Sequence, residues 1–225
     1  MPDRTGIVIG IDVGGLRKGF HAVALRDGEY LEKFLAFDAT SIFRWCQQIG
    51  AQAIGIDAPC RWSSSGRARI AERELAADGI FAFATPCQEV AIHKPFYRWM
   101  LNGAKLFHII EQHYPLFNGR NSASGKVCFE TFPHAIACIL AGQIVSAKQK
   151  GIVRRNLLHG AGITISDLTN IDLVDAALCA LAAHYLVADN FKNYGDTREG
   201  FIVVPARRGK ERSAFHAGRV TNDYS

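Results

Sequence analysis

The chain has 225 residues, 48% of them hydrophobic, enough for one packed core and too short to require a second full domain. Lys and Arg number 26 against 21 Asp and Glu, and the resulting charge of +5 permits a polyanionic partner without resembling a basic nucleic-acid arm. The longest apolar stretch, 176–188, holds His184 and Tyr185 and falls short of the roughly 20 residues a membrane span needs, so no membrane partner is expected. Cys46, Cys60, Cys87, Cys128, Cys138 and Cys179 lie in apolar surroundings with no C-x-x-C pair, and no signal peptide precedes the first strand. That usage predicts reduced, buried thiols in a cytoplasmic protein.

The first strand, 7–12, is an apolar run that ends on Asp12. Val13-Gly14-Gly15 turns the chain into two further runs, 19–25 and 30–37, separated by Arg26-Asp27-Gly28-Glu29, which predicts three antiparallel strands. Ser41 is the expected N-cap of a helix to about Ile49, and Gly50 ends it. The strand 53–57 follows and again closes an apolar run on an aspartate, Asp57. A strand reached through a crossover helix lies parallel to the first, so Asp12 and Asp57 should meet at one sheet edge.

Residues 60–120 are less regular and read as an inserted cap over that edge. Within them 67–77 has helical spacing, 79–85 is small and aromatic, and 95–114 is an amphipathic helix whose Phe96, Tyr97, Trp99, Met100, Leu101, Leu106, Phe107 and Ile110 are expected to pack in the core. A strand at 126–129 delivers Glu130, and Thr131-Phe132-Pro133 opens a helix at 135–140. The cluster 166–170 caps an almost wholly apolar helix, 171–187, with Asp172 and Asp175 in its first turns. A closing strand at 201–204 precedes a basic tail containing Arg207, Arg208, Lys210, Arg212 and Arg219. The whole is expected to be one α/β domain over 1–225, a mixed sheet of three antiparallel strands and then parallel strands with flanking helices.

Gly10-Ile11-Asp12, Ile56-Asp57-Ala58-Pro59, Arg67-Ala68-Arg69 leading to Thr85-Pro86, Phe129-Glu130-Thr131-Phe132-Pro133, Asp172-x-x-Asp175-Ala176 and Glu199-Gly200-Phe201-Ile202 occur in that order. This order resembles a family of unknown function described as predicted RNase H-like nucleases, over about 7–205. The resemblance implies a ribonuclease H-like fold in which strand-end and helix acids bind divalent metal. Asp12, Asp57, Glu130 and Asp175 are then the catalytic and metal-binding residues. Oxygen ligands without paired His or Cys favour Mg or Mn over zinc. Gly14 and Gly15 would let a phosphate approach the backbone, and Arg67, Arg69, Lys148, Arg154 and Arg155 are candidate substrate contacts, with nucleic acid the expected partner.

Each assignment has a plainer alternative. Asp12 and Asp57 can accept backbone N–H bonds in turns, Glu130 can pair with Arg67 or Arg69, and Asp172 suits a helix start better than a metal. The acids can also form ion pairs with Arg17, Lys18, Arg67, Arg69 or Arg73 that merely close the sheet edge. Among the histidines considered, His134 is the one closest to the acids in sequence. Three functions compete: a metal-dependent nuclease or phosphodiesterase, a non-catalytic nucleic-acid or protein-binding module, and, third, a phosphotransferase like the actin and sugar-kinase ATPases. The last lacks a second phosphate loop after Asp57, where the sequence runs Ala58-Pro59-Cys60.

Overall fold

A computed structural model describes residues 6–120 and 125–206. Strands β1 (Ile7–Val13), β2 (Phe20–Arg26) and β3 (Glu29–Ala36) form the antiparallel half of a seven-stranded sheet. Asp27 and Gly28, both at positive φ (55° and 86°), make the tight β2–β3 turn that matches the twist of the two strands. Helix α1 (Ala39–Gln48) starts earlier than expected because Asp38, not Ser41, is its N-cap: the Asp38 carboxylate accepts Ser41 N–H at 2.8 Å and Ser41 Oγ–H at 2.7 Å. The chain then enters β4 (Ala53–Asp57), parallel to β1.

Helices α2 (Ile70–Ala77), α3 (Gln88–His93) and α4 (Arg98–Ile110) follow, then β5 (Val127–Glu130), α5 (Pro133–Ala141), α6 (Lys150–Gly160) and α7 (Ile171–Val187). A hairpin of β6 (Phe191–Asp196) and β7 (Gly200–Pro205) completes the sheet, in the order β3-β2-β1-β4-β5-β7-β6. β4, β5 and β7 continue the parallel run from β1, and β6 is an antiparallel edge strand. Neither α6 nor β6 was expected from the sequence, since α6 reads as a basic surface run and β6 carries Lys192, Asn193 and Asp196. The basic tail lies outside the described residues.

Two cores flank the sheet. On one face Val8, Val23, Leu25, Ala53 and Phe129 pack against α7 and parts of α2, α5 and α6; on the other Ile9, Ile11, Phe20, Ile54 and Ile56 pack against α1 and α4. Part of the segment 60–120 therefore builds a layer of the fold, through Leu106, Phe107 and Ile110 of α4. Its beginning does not pack as expected: Pro95–Tyr97 is a separate 3-10 turn, and Phe96 is 56% exposed.

Helix α7 is apolar all round because it is covered all round. It lies on β1, β2 and β4 at unusually short range. A Cβ on Gly10 would fall 2.0 Å from both Ala176 O and Ala180 N, and one on Gly55 would fall 2.7 Å from Cys179 O. Only glycine at these two strand positions, facing an alanine-rich helix, lets the backbones approach so closely. Among the described residues no helix is long and apolar enough to cross a membrane. The cysteines are unpaired, and all are buried except the half-buried Cys87.

Candidate metal centre

Strand side chains alternate between faces, so the core residues of each strand tell where its polar residues point. In β1 Val8 faces α7, and so therefore do Gly10 and Asp12; in β4 Ala53 faces α7, with Gly55 and Asp57. Val23 and Leu25 of β2 face the same way, which adds His21. Register closes the group, since Asp12 is opposite Asp57 on one side and His21 on the other. From α7, Asn170 accepts Leu173 N–H at 2.8 Å and fixes the first turn, so Asp172 and Asp175, three residues apart, lie on one helix face above the strand ends.

One ligand atom from each of Asp12, His21 and Asp172 lies within 4.8 Å of the other two. His21 is 8% exposed, and burial lowers its imidazole pKa, which keeps it neutral at pH 7. Burial, followed by the charges of Asp175 and Asp172, pushes Asp12 up to about 8. Asp57 is held well above the carboxylate range by burial and by Asp12 and Asp175, and burial also raises Asp175. Nearby cations offset this only in part: Arg154 Nη1–H donates to Asp175 Oδ1, while the exposed Lys18 Nζ reaches Asp172 at 3.0 Å. Among the described residues the two buried side-chain polar atoms without a hydrogen-bond partner, His21 Nδ1 and Arg154 Nε, both belong to this corner. A surplus of crowded carboxylates beside a neutral imidazole suits a divalent cation of the Mg or Mn kind, and the donor set fits one.

Glu130 stands apart from this group. In β5 Phe129 faces α7, so Glu130, opposite Ile56, faces away. It is 4% exposed, and both oxygens are taken: Arg69 Nη2–H donates to Oε1 at 2.6 Å, while Arg69 Nη1–H and Cys60 N–H donate to Oε2, each at 2.8 Å. Its partners are the Arg69 guanidinium and the Cys60 N–H. Arg69 is 1% exposed and also holds Glu72 at 2.9 Å, which removes it as a substrate contact. Glu72 in turn accepts Thr85 N–H at 3.0 Å, and Glu199 accepts Ser64 N–H at 2.8 Å and Oγ–H at 2.6 Å.

Other expected contacts divide. Arg154 is buried against Asp175, and Arg155 donates to the carbonyls of Leu168 and Gly151, so both are committed internally. Arg67 and Lys148 are exposed. Gly14 N–H donates to Gly19 O at 2.8 Å and Gly14 O accepts from Asn102 Nδ2 at 3.0 Å, so the Gly14 N–H is not open to a phosphate, while the space beside Gly15 is open. His134 lies 3.8 Å from Cys138 Sγ and is not among the clustered groups. The cluster brings in His21, which the sequence reading did not consider, and Asp172, which it took as better suited to a helix start. The place of His21 comes from the register of β2 on β1, which neither strand shows alone; the signal for Asp172 was obscured because an acid at a helix start has an ordinary explanation.

No curated protein and no solved structure matches the chain. Over residues 10–199 it matches the family described as Protein of unknown function (DUF429), and it belongs to that family.

Proposed function

We propose that the chain is a divalent-metal-dependent phosphodiester hydrolase acting on nucleic acid, built on a ribonuclease H-like fold. The observation that carries this reading is the convergence of Asp12, His21 and Asp172 donor atoms within 4.8 Å, with Asp57 in register beside Asp12. The strand order, three antiparallel strands followed by parallel ones with the last long helix over the first strand, supports the fold assignment. Asp12, His21 and Asp172 would hold Mg or Mn, and Asp57 and Asp175 would supply further carboxylate oxygens. A cation so held would activate water and stabilise the leaving oxygen of a phosphodiester. Lys18 neutralises Asp172 in the metal-free protein and is exposed enough to withdraw when a cation arrives, while Arg154 fixes Asp175 in place.

A second reading, a non-catalytic nucleic-acid or protein-binding module, draws support from Glu130, whose commitment to Arg69 leaves fewer free acids than the nuclease pattern implies. The phosphotransferase reading loses ground with the Gly14 backbone already engaged. Calorimetric titration with Mn, run beside cleavage of end-labelled RNA and DNA, separates the first two. Wild type should bind Mn and cleave, and Asp12→Asn should do neither. Binding of oligonucleotide without any metal-dependent cleavage would replace the nuclease with the binding module.

A further inference from the structure

Residues 94–99 read Lys-Pro-Phe-Tyr-Arg-Trp, cations alternating with aromatics. Phe96 is 56% exposed and Phe83 65%, a large apolar area to leave in water. Their rings meet edge to face at 5.4 Å, and Phe96 meets Tyr97 in the same way at 5.1 Å, a geometry that occupies at most one face of either phenyl ring in each contact. Phe83 also lines a cleft whose other walls include Asp57 together with Arg69, Glu72 and Glu130, so the row of rings begins where Asp57 meets the ion-paired acids. That cleft, about 40 Å³, admits water and not a base, so a base at this end of the row would lie on the outer ring faces.

Lys94 and Arg98 flank Phe96, are exposed, and make no ion pair among the described residues. The only acid between residues 79 and 105 is Glu89. Unpaired cations beside open aromatic faces complement a polyanion that carries flat rings. A second copy meeting this patch symmetrically, by contrast, would set like charges against each other.

We propose that Phe83, Phe96 and Tyr97, with Lys94 and Arg98, form a ledge that holds single-stranded nucleic acid, bases stacked on the rings and phosphates on the cations, beside Asp57. The proposal deepens the phosphodiesterase reading and rests on it for the direction of the strand toward the acids. Single strands are specified because a base in a duplex has both faces covered by its neighbours and offers none to a ring on the protein surface.

Fluorescence anisotropy of labelled 15-residue oligo-dT and oligo-U and of a mixed-sequence duplex, with the full chain in EDTA, tests the ledge apart from turnover. Wild type should bind the single strands at least about ten-fold more tightly than the duplex, and Phe83→Ala/Phe96→Ala should lose about ten-fold or more. Lys94→Gln/Arg98→Gln should flatten the dependence of log Kd on log salt by about 1.4. Equal affinity for the duplex, unchanged binding by the phenylalanine variant, absence of binding by wild type, or self-association that the phenylalanine variant abolishes would each overturn the ledge. Metal-dependent cleavage by a wild type that binds no single strand in EDTA rejects the ledge alone, and single-strand binding by a wild type without metal-dependent cleavage rejects the nuclease alone.

Discussion

The carboxylates around Asp12 and those around Arg69 stand at the same end of one sheet, on neighbouring strands, and the fold treats them in opposite ways. Glu130 and Glu72 share a buried guanidinium and Glu199 is held by Ser64, so that group is neutralised or hydrogen-bonded from within. Asp12, Asp57, Asp172 and Asp175 have the buried Arg154 and the exposed Lys18 and Lys150 beside them, yet burial and mutual repulsion still raise three of the four. The difference turns on one residue of strand parity: Asp57 lies one position past Ile56, the partner of Glu130, and so falls on the opposite face. A satisfied group stabilises a fold, whereas an unsatisfied one is where an external cation gains most.

Breaking the satisfied group should have the largest effect. Arg69→Met leaves Glu130 and Glu72 buried without their cation and should cost about 3–5 kcal/mol, read from urea unfolding. Glu130→Gln tests the division directly: it should destabilise the protein yet leave Mn affinity unchanged, and loss of Mn binding equal to that of Asp12→Asn would erase the distinction between the two groups.

On the unsatisfied side, Mn at 100 times its Kd should stabilise wild type by about 2.7 kcal/mol and Asp12→Asn not at all, as thermal melts will show. Without metal the pH dependence has a definite sign. Asp12 titrates near 3.8 when unfolded and near 8 when folded, so between those values the folded state holds the extra proton and stability falls as pH rises. Asp12→Asn should flatten that slope and melt higher than wild type at pH 8. The smallest effect belongs to Lys18→Ala, whose loss of a largely exposed pair should cost at most about 1 kcal/mol while tightening Mn binding, because a competitor for Asp172 is gone.

What the sequence made legible follows from how local each signal is. β4 and α7 were read with their bounds because one is an uninterrupted apolar run and the other is apolar on every face. β6 escaped because an edge strand can be polar, and α6 because its buried Arg154 looks like any surface cation until Asp175 is seen opposite it. Asp12 and Asp57 stood out as acids closing apolar strands. Glu130 had the same local pattern, and its two readings, metal ligand or partner of Arg67 or Arg69, stayed open in the sequence, since which face a strand residue takes depends on a register that no single strand encodes; the structure shows the pair with Arg69. His21 was missed for the reciprocal reason: its place beside Asp12 comes from pairing across the first hairpin.

Gly10 and Gly55 carry a consequence for anyone wishing to redesign this corner. Their hydrogens set the gauge between helix and sheet, and Asp172 and Asp175 ride on the helix while Asp12, Asp57 and His21 ride on the sheet. The gap between the helix acids and the sheet acids is thus dimensioned at two positions that carry no chemistry, and alanine at either would force the backbones apart and part Asp172 and Asp175 from Asp12, Asp57 and His21.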